Sequence, residues 1–193
     1  MSGFATVLAG LLFIIAEPLT LSAASNGLRQ AYLHVGLVAT TNSFVAQSLL
    51  SFLAGVLLLG GLVGLYARQV EAAGKLGLGG FLVAFFCTAL LLSNFYANFV
   101  ITPTVAFAAP EFLDSFYGGM LRLWFPLEFG FLALGWLLFG IATLRAGVYP
   151  RGAALLLVVG VVLAMLSLPL INIVFDLALV WLGIALIRRE RTT

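Results

Sequence analysis

The sequence predicts an all-α integral membrane bundle, and three observations carry that prediction. Hydrophobic residues make up 63% of the 193 residues and charged ones 8%, with a mean hydropathy of +1.21. A water-soluble chain of this length needs several times as many charges to cover its surface. The apolar residues fall into six long runs, at about 3–24, 44–67, 76–101, 123–144, 152–168 and 170–187. A membrane-crossing helix needs about 20 mostly apolar residues. Finally, the basic residues alternate between the gaps, as the loops of a multi-pass protein require. No stretch is polar enough for a separate soluble module, so residues 1–193 read as a single transmembrane domain.

The run at 3–24 resembles a secretory leader in its apolar stretch from Phe4 to Ala16. No Lys or Arg precedes Arg29, however, and Glu17-Pro18 interrupts it before the small residues Ser22-Ala23-Ala24. It is therefore read as a retained first span. The second span is rich in glycine, with Gly55, Gly60, Gly61 and Gly64. Gly60 and Gly64 have the spacing that lets two helices approach closely, within the chain or across a homodimer. The third span ends in a polar pair, Asn94 and Asn98, one helical turn apart and so on one face. The fourth holds twenty-two residues between Arg122 and Arg145, of which only Glu128 is charged. Ser167-Leu168-Pro169 separates the last two runs; a residue before proline leaves helical geometry, so a tight turn is expected. One helix through both would be about 54 Å long, beyond the hydrocarbon core. Six spans is the reading, with five as the alternative.

Orientation follows from the charges. Arg68, Lys75, Arg145, Arg151, Arg188, Arg189 and Arg191 fall on one side of a six-span chain, and only Arg29 and Arg122 on the other. Positive residues mark the cytoplasmic side. Both termini are accordingly expected in the cytoplasm and the chain in the plasma (bacterial inner) membrane, crossing it several times. The external side then carries the connections at 25–43 and 102–122.

Function has to be sought among polar residues inside the spans. Glu17, Glu128 and Asp176 lie about 5, 9 and 4 Å to the external side of their span midpoints, at 1.5 Å per residue. A carboxylate in such a place costs about 2.5–3.5 kcal/mol on insertion scales and usually faces protein or water. Asn172 precedes Asp176 by one turn, while Thr20, Ser22, Gln47, Ser48 and Ser51 occupy the same depth. The cytoplasmic half offers little beyond Thr143. Pro18 and Pro126 adjoin two of the acids and free backbone carbonyls there. Aromatic residues, among them Tyr96, Trp124, Phe129 and Phe175, stand at that level too. Interhelical hydrogen bonds in membranes average only about 0.6 kcal/mol, so helix adhesion alone is a poor return on three acids. Both readings stay open: a pocket, or adhesion between helices.

Other chemistry is excluded by composition. Cys87 is the only cysteine and His34 the only histidine, which removes disulfides, CxxC redox pairs, bis-histidine haem and histidine-rich metal sites. No lysine lies within a span, no GxSxG is present, and Gly74–Gly80 lacks the spacing of a phosphate loop. No cofactor or metal is expected, and a net charge of +2 gives no case for nucleic acid.

What remains is carboxyl chemistry. Desolvation favours the neutral form of an acid, and a neutral acid beside an ionised one suits acid–base catalysis or proton-coupled transport. The expected site therefore has Glu17, Glu128 and Asp176 as catalytic acids. Asn94, Asn98, Asn172, Tyr96, Trp124 and Phe129 would contact a hydrophobic or lipid-like small molecule. The expected chemistry is of the isomerase or cyclase kind. Non-catalytic membership of a larger membrane complex and proton-coupled transport are the alternatives.

The stretches GLVGLYARQVEAAGKLGLGGFLVAFFCTALL and LGWLLFGIATLRAGVYPRGAALLLVVG resemble a widespread group of small bacterial polytopic membrane proteins of unassigned function. The resemblance concerns packing and turns over about two-thirds of the chain. It implies fold and bacterial origin and carries over no site residue. In architecture alone the chain is also similar to small multi-span cyclases and sterol-isomerase-like proteins.

Overall fold

The computed structural model describes residues 1–23, 35–118, 121–166 and 170–190, which are helical and contain no strand. The elements are α1 (Ser2–Ala23), the single turn α2 (Val35–Val38), α3 (Asn42–Tyr96), a π-helical turn at Ala97–Ile101, α4 (Thr102–Ala108), α5 (Pro110–Gly118), α6 (Leu121–Ala146), α7 (Arg151–Ala164) and α8 (Ile173–Glu190). Three helical segments are long and apolar enough to cross a membrane: Ser2–Thr20, Asn42–Ala108 and Pro126–Ala146. The connection at 25–34 with His34, and the turn expected at Ser167-Leu168-Pro169, lie outside the described residues.

The longest of these runs is two rods. At Gly74 the backbone takes φ 58° and ψ −156°, outside any helix, a conformation open to glycine because it has no Cβ. The chain reverses there. Tyr66 stacks on Phe81 with ring centroids 4.4 Å apart, Phe52 meets Tyr96 at 6.0 Å, and Gly55 abuts Leu92 and Phe95. Contacts in this opposite order make residues 42–73 and 75–96 antiparallel arms. The first arm starts at Thr41, whose hydroxyl accepts from the Phe44 N–H at 3.3 Å, the usual way of satisfying a free helix N–H.

Glycines then define the neighbours. Gly61 and Gly64 of the first arm seat Thr6 and Ser2 of α1; Gly3, Gly10 and Gly183 pair α1 with α8. Gly152 and Gly160 of α7 receive Trp181 and Phe175 of α8. Gly140 of α6 meets Leu157 and Val158 of α7, while Gly80 and Gly135 join the second arm of α3 to α6. The order of neighbours is first arm, α1, α8, α7, α6, second arm, and so back to the first arm. Leu58, Leu62, Leu65, Trp136, Phe139, Leu157, Leu179 and Leu182 fill the centre of this cycle. Outside it, Phe4, Leu8, Leu11 and Ile15 of α1, Leu82 and Phe86 of α3, and Leu177, Trp181 and Ile184 of α8 are exposed. Exposed apolar residues at helical spacing make a continuous apolar exterior.

Those contacts also fix the two ends. The Gly74 turn, the start of α1, the α6–α7 connection and the end of α8 lie together, which gathers Arg68, Lys75, Arg145, Arg151 and Arg188 at one end. Gly147, with φ 63°, stops α6 there, and the buried Tyr149 donates its hydroxyl to the Leu65 carbonyl at 3.1 Å.

The opposite end departs from the expected plain connection at 102–122, because α4 and α5 occupy it. Pro103 and Pro110 sit in the first turns of these helices, where a missing N–H costs nothing. Val35, Ala39, Ala106 and Leu113 form a small second core with Phe44 and Val105, and Gly36 lies against Pro110. α7, with fourteen residues, is about 21 Å long, shorter than the apolar run at 152–168.

Candidate functional site

At the end opposite the basic residues, α1 and α8 present polar groups to each other. Gly3 and Gly10 of α1 touch Ile187 and Val180 of α8. Residues 172, 176, 180, 183 and 187 thus form the stripe of this strand of the chain that faces α1, at helical spacing. Glu17 continues the matching stripe of α1. The Asn172 amide donates to Glu17 Oε1 at 2.8 Å. One turn further in, Asp176 is 3% exposed. Its Oδ2 is buried with no hydrogen-bond partner among the described residues, and Glu17 lies within electrostatic reach of it. An unpartnered buried polar atom costs about 1–3 kcal/mol, more if it is charged. Pro18, inside α1, has no N–H to donate to the carbonyl four residues back.

The first arm of α3 adds hydroxyl and amide groups at this level. Gln47 donates to Ser51 at 3.2 Å and accepts from Ser48 at 3.4 Å; both serines are buried. At the end of the second arm, Asn98 donates to Asn94 at 3.2 Å and Thr102 donates to Asn98 at 3.3 Å. This ladder runs along the π-helical turn at Ala97–Ile101. A π turn leaves its carbonyls differently aimed from those of an α-helix, and such turns recur at functional sites.

Glu128 belongs to another seam. It is 8% exposed and shares the α6 stripe of Gly135, Phe139 and Ala142, which faces the second arm of α3, within electrostatic reach of Cys87. In the cycle of neighbours the α6–α3 seam lies across the core from the α1–α8 seam. Aromatic side chains fill the space between: Trp136 meets Phe175 edge-on at 5.1 Å, and Phe13 meets Phe95 at 6.2 Å. Among the described residues no hydrogen bond joins Glu128 to Glu17 or Asp176. The structure therefore brings together Glu17, Asn172 and Asp176, and holds Asn94 with Asn98 in a separate ladder. Tyr96, Trp124 and Phe129 are 47%, 55% and 51% exposed. Of Tyr117 and Phe125 only the backbone is described.

Two interior polar contacts escaped the sequence reading. Gln69, 1% exposed, donates to Thr143 at 3.0 Å, and its Oε1 is buried without a partner. Trp136 donates to Thr88 at 3.2 Å. Gln69 lies beyond the second apolar run, yet it follows Leu62 and Leu65 at helical spacing, which is the signal that it shares their buried face. Among the described residues no group of three His, Cys, Asp or Glu could hold a metal ion.

The α1–α8 seam can accept hydrogen bonds at the buried Asp176 and at Glu17, whose bond to Asn172 is exposed. Comparison with family models, with curated proteins and with solved structures finds no match to this chain.

Proposed function

We propose that this chain is a multi-pass plasma-membrane protein, both termini cytoplasmic, that binds the polar head of a hydrophobic, lipid-like molecule at the external end of the α1–α8 seam. The apolar exterior and the collection of five basic residues at one end support the membrane placement, since loops rich in Lys and Arg stay in the cytoplasm. On this reading α4 and α5 lie at the external surface. One observation carries the site: a buried Asp176 oxygen with no partner, beside a Glu17 already engaged by Asn172. A side chain needed only for adhesion between helices has its polar atoms paired. The same pair suits acid–base isomerisation or cyclisation, one carboxyl giving a proton to the bound molecule while the other accepts one.

Native mass spectrometry of the full chain, released from mild detergent, tests the proposal. A stoichiometric adduct of lipid-like mass is expected, and it is lost in Asp176→Ala while helicity is kept. Two results would overturn the reading: an adduct undiminished in Asp176→Ala, or a stoichiometric protein partner in place of a small molecule. The latter makes this chain a subunit of a larger complex.

A further inference from the structure

The head group can be specified further on the premise of that site. We infer that the ligand is a cationic amphiphile whose head is a protonated primary or secondary amine. Glu17 Oε1 takes the Asn172 amide, and among the described residues the buried Asp176 Oδ2 takes no hydrogen bond. With both carboxyls ionised the pair only accepts hydrogen bonds, and what completes that state is a donor. α1 has no Lys or Arg, and the basic residues of α8, Arg188 and Arg189, stand at its far end. Neither helix of the seam therefore supplies the counter-charge. A buried charge is costly until paired and hydrogen-bonded, and an ammonium N–H meets both needs at once.

Each alternative head leaves something unmet. An alcohol brings a donor without charge, a quaternary ammonium brings charge without a donor, and a carboxylate or phosphate brings repulsion. The tail has a path of its own. Leu8, Leu11 and Ile15 on α1 and Leu177 and Ile184 on α8 are exposed on either side of the seam, continuing toward the basic end. Gly10 and Gly183 bring the two helices together there. An alkyl chain lying over the seam meets apolar groups on both flanks, with its head at Asp176.

Full-length protein in phosphatidylcholine nanodiscs is titrated with dodecylamine, dodecanol and dodecyltrimethylammonium, with empty nanodiscs as the baseline. Dodecylamine is expected to bind about tenfold or more tightly than the other two. Asp176→Asn and Glu17→Gln, which keep side-chain size, should each erase that preference. A second series replaces part of the phosphatidylcholine with phosphatidylethanolamine. Competition against dodecylamine there identifies a lipid head group as the source of the amine, and its absence identifies a free amine. Equal binding of dodecanol and dodecylamine overturns the inference and leaves the proposed site standing. Failure of all three probes to bind overturns both. An amine preference that survives both substitutions places the cation elsewhere and overturns the inference.

Discussion

Replacing Gln69 by Leu should stabilise the protein. The amide loses its bond to Thr143, a contact of a kind that averages about 0.6 kcal/mol between membrane helices. Against that stands the buried Oε1 with no partner, whose desolvation costs about 1–3 kcal/mol. Thr143 is not orphaned by the change, because its hydroxyl still donates to the Phe139 carbonyl at 2.8 Å. Leucine has nearly the volume of glutamine and would join Leu62 and Leu65 on the same buried face. The difference is a gain of about 0.5–2.5 kcal/mol. Reversible unfolding by SDS in mixed micelles, followed by circular dichroism, measures it directly. Gln69→Ala serves as the control and should be less stable than Gln69→Leu, since it leaves a cavity beside Thr143. A Leu variant destabilised by about 1 kcal/mol or more would refute the reasoning, because Oε1 would then have to be satisfied in the native protein.

Glycine substitutions should separate by position. Gly135→Ala places a methyl 2.5 Å from the Ala84 backbone nitrogen and should cost about 1–3 kcal/mol in the same unfolding assay, whereas Gly60, with nothing within 4 Å, should accept alanine with no loss of stability. Single cysteines at Ala72 and Ala146 should react with impermeant reagents from the cytoplasmic side alone, and one at Ala108 from outside alone; labelling of all three from one side would overturn the six-rod topology. Gly147 is a poor reporter position because its φ of 63° strains any side chain. Glu128→Gln should preserve fold and adduct alike, measured by native mass spectrometry, because Glu128 lies in the α6–α3 seam; loss of the adduct would mean that all three acids act as one site.

Helices were easier to read from the sequence than contacts. Apolar runs of membrane length and the charge of their gaps are local properties, and a helix forms along such a run even where Pro18 or Pro126 lies inside it. Gly74 was visible within a polar gap, although not that a single residue would reverse the chain. The helices α4 and α5 lie in a stretch that reads as a plain connection, with Pro103 and Pro110 in first turns, where proline is compatible with a helix. Depth along a span could also be counted, and it put Glu17, Asn172 and Asp176 near one level. Which seam each acid enters depends on the neighbours of its helix, and no periodicity in a single chain encodes that order. Glu128 shares the depth without sharing the seam for this reason. Tyr96, Trp124 and Phe129 share that level with side chains about half exposed.

The Asn172–Glu17 bond spans 155 positions of sequence, joining the first helix to the turn that opens the last described one. During synthesis at about 5–20 residues per second, roughly 8–31 s separate the appearance of the two partners. Throughout that interval Glu17 sits in a nascent chain whose α8 does not yet exist, and any protein truncated before Asn172 leaves it permanently unmatched. Ligand capture at this seam would therefore report a finished molecule, and a lone acid in α1 would mark an unfinished one for whatever surveys the membrane.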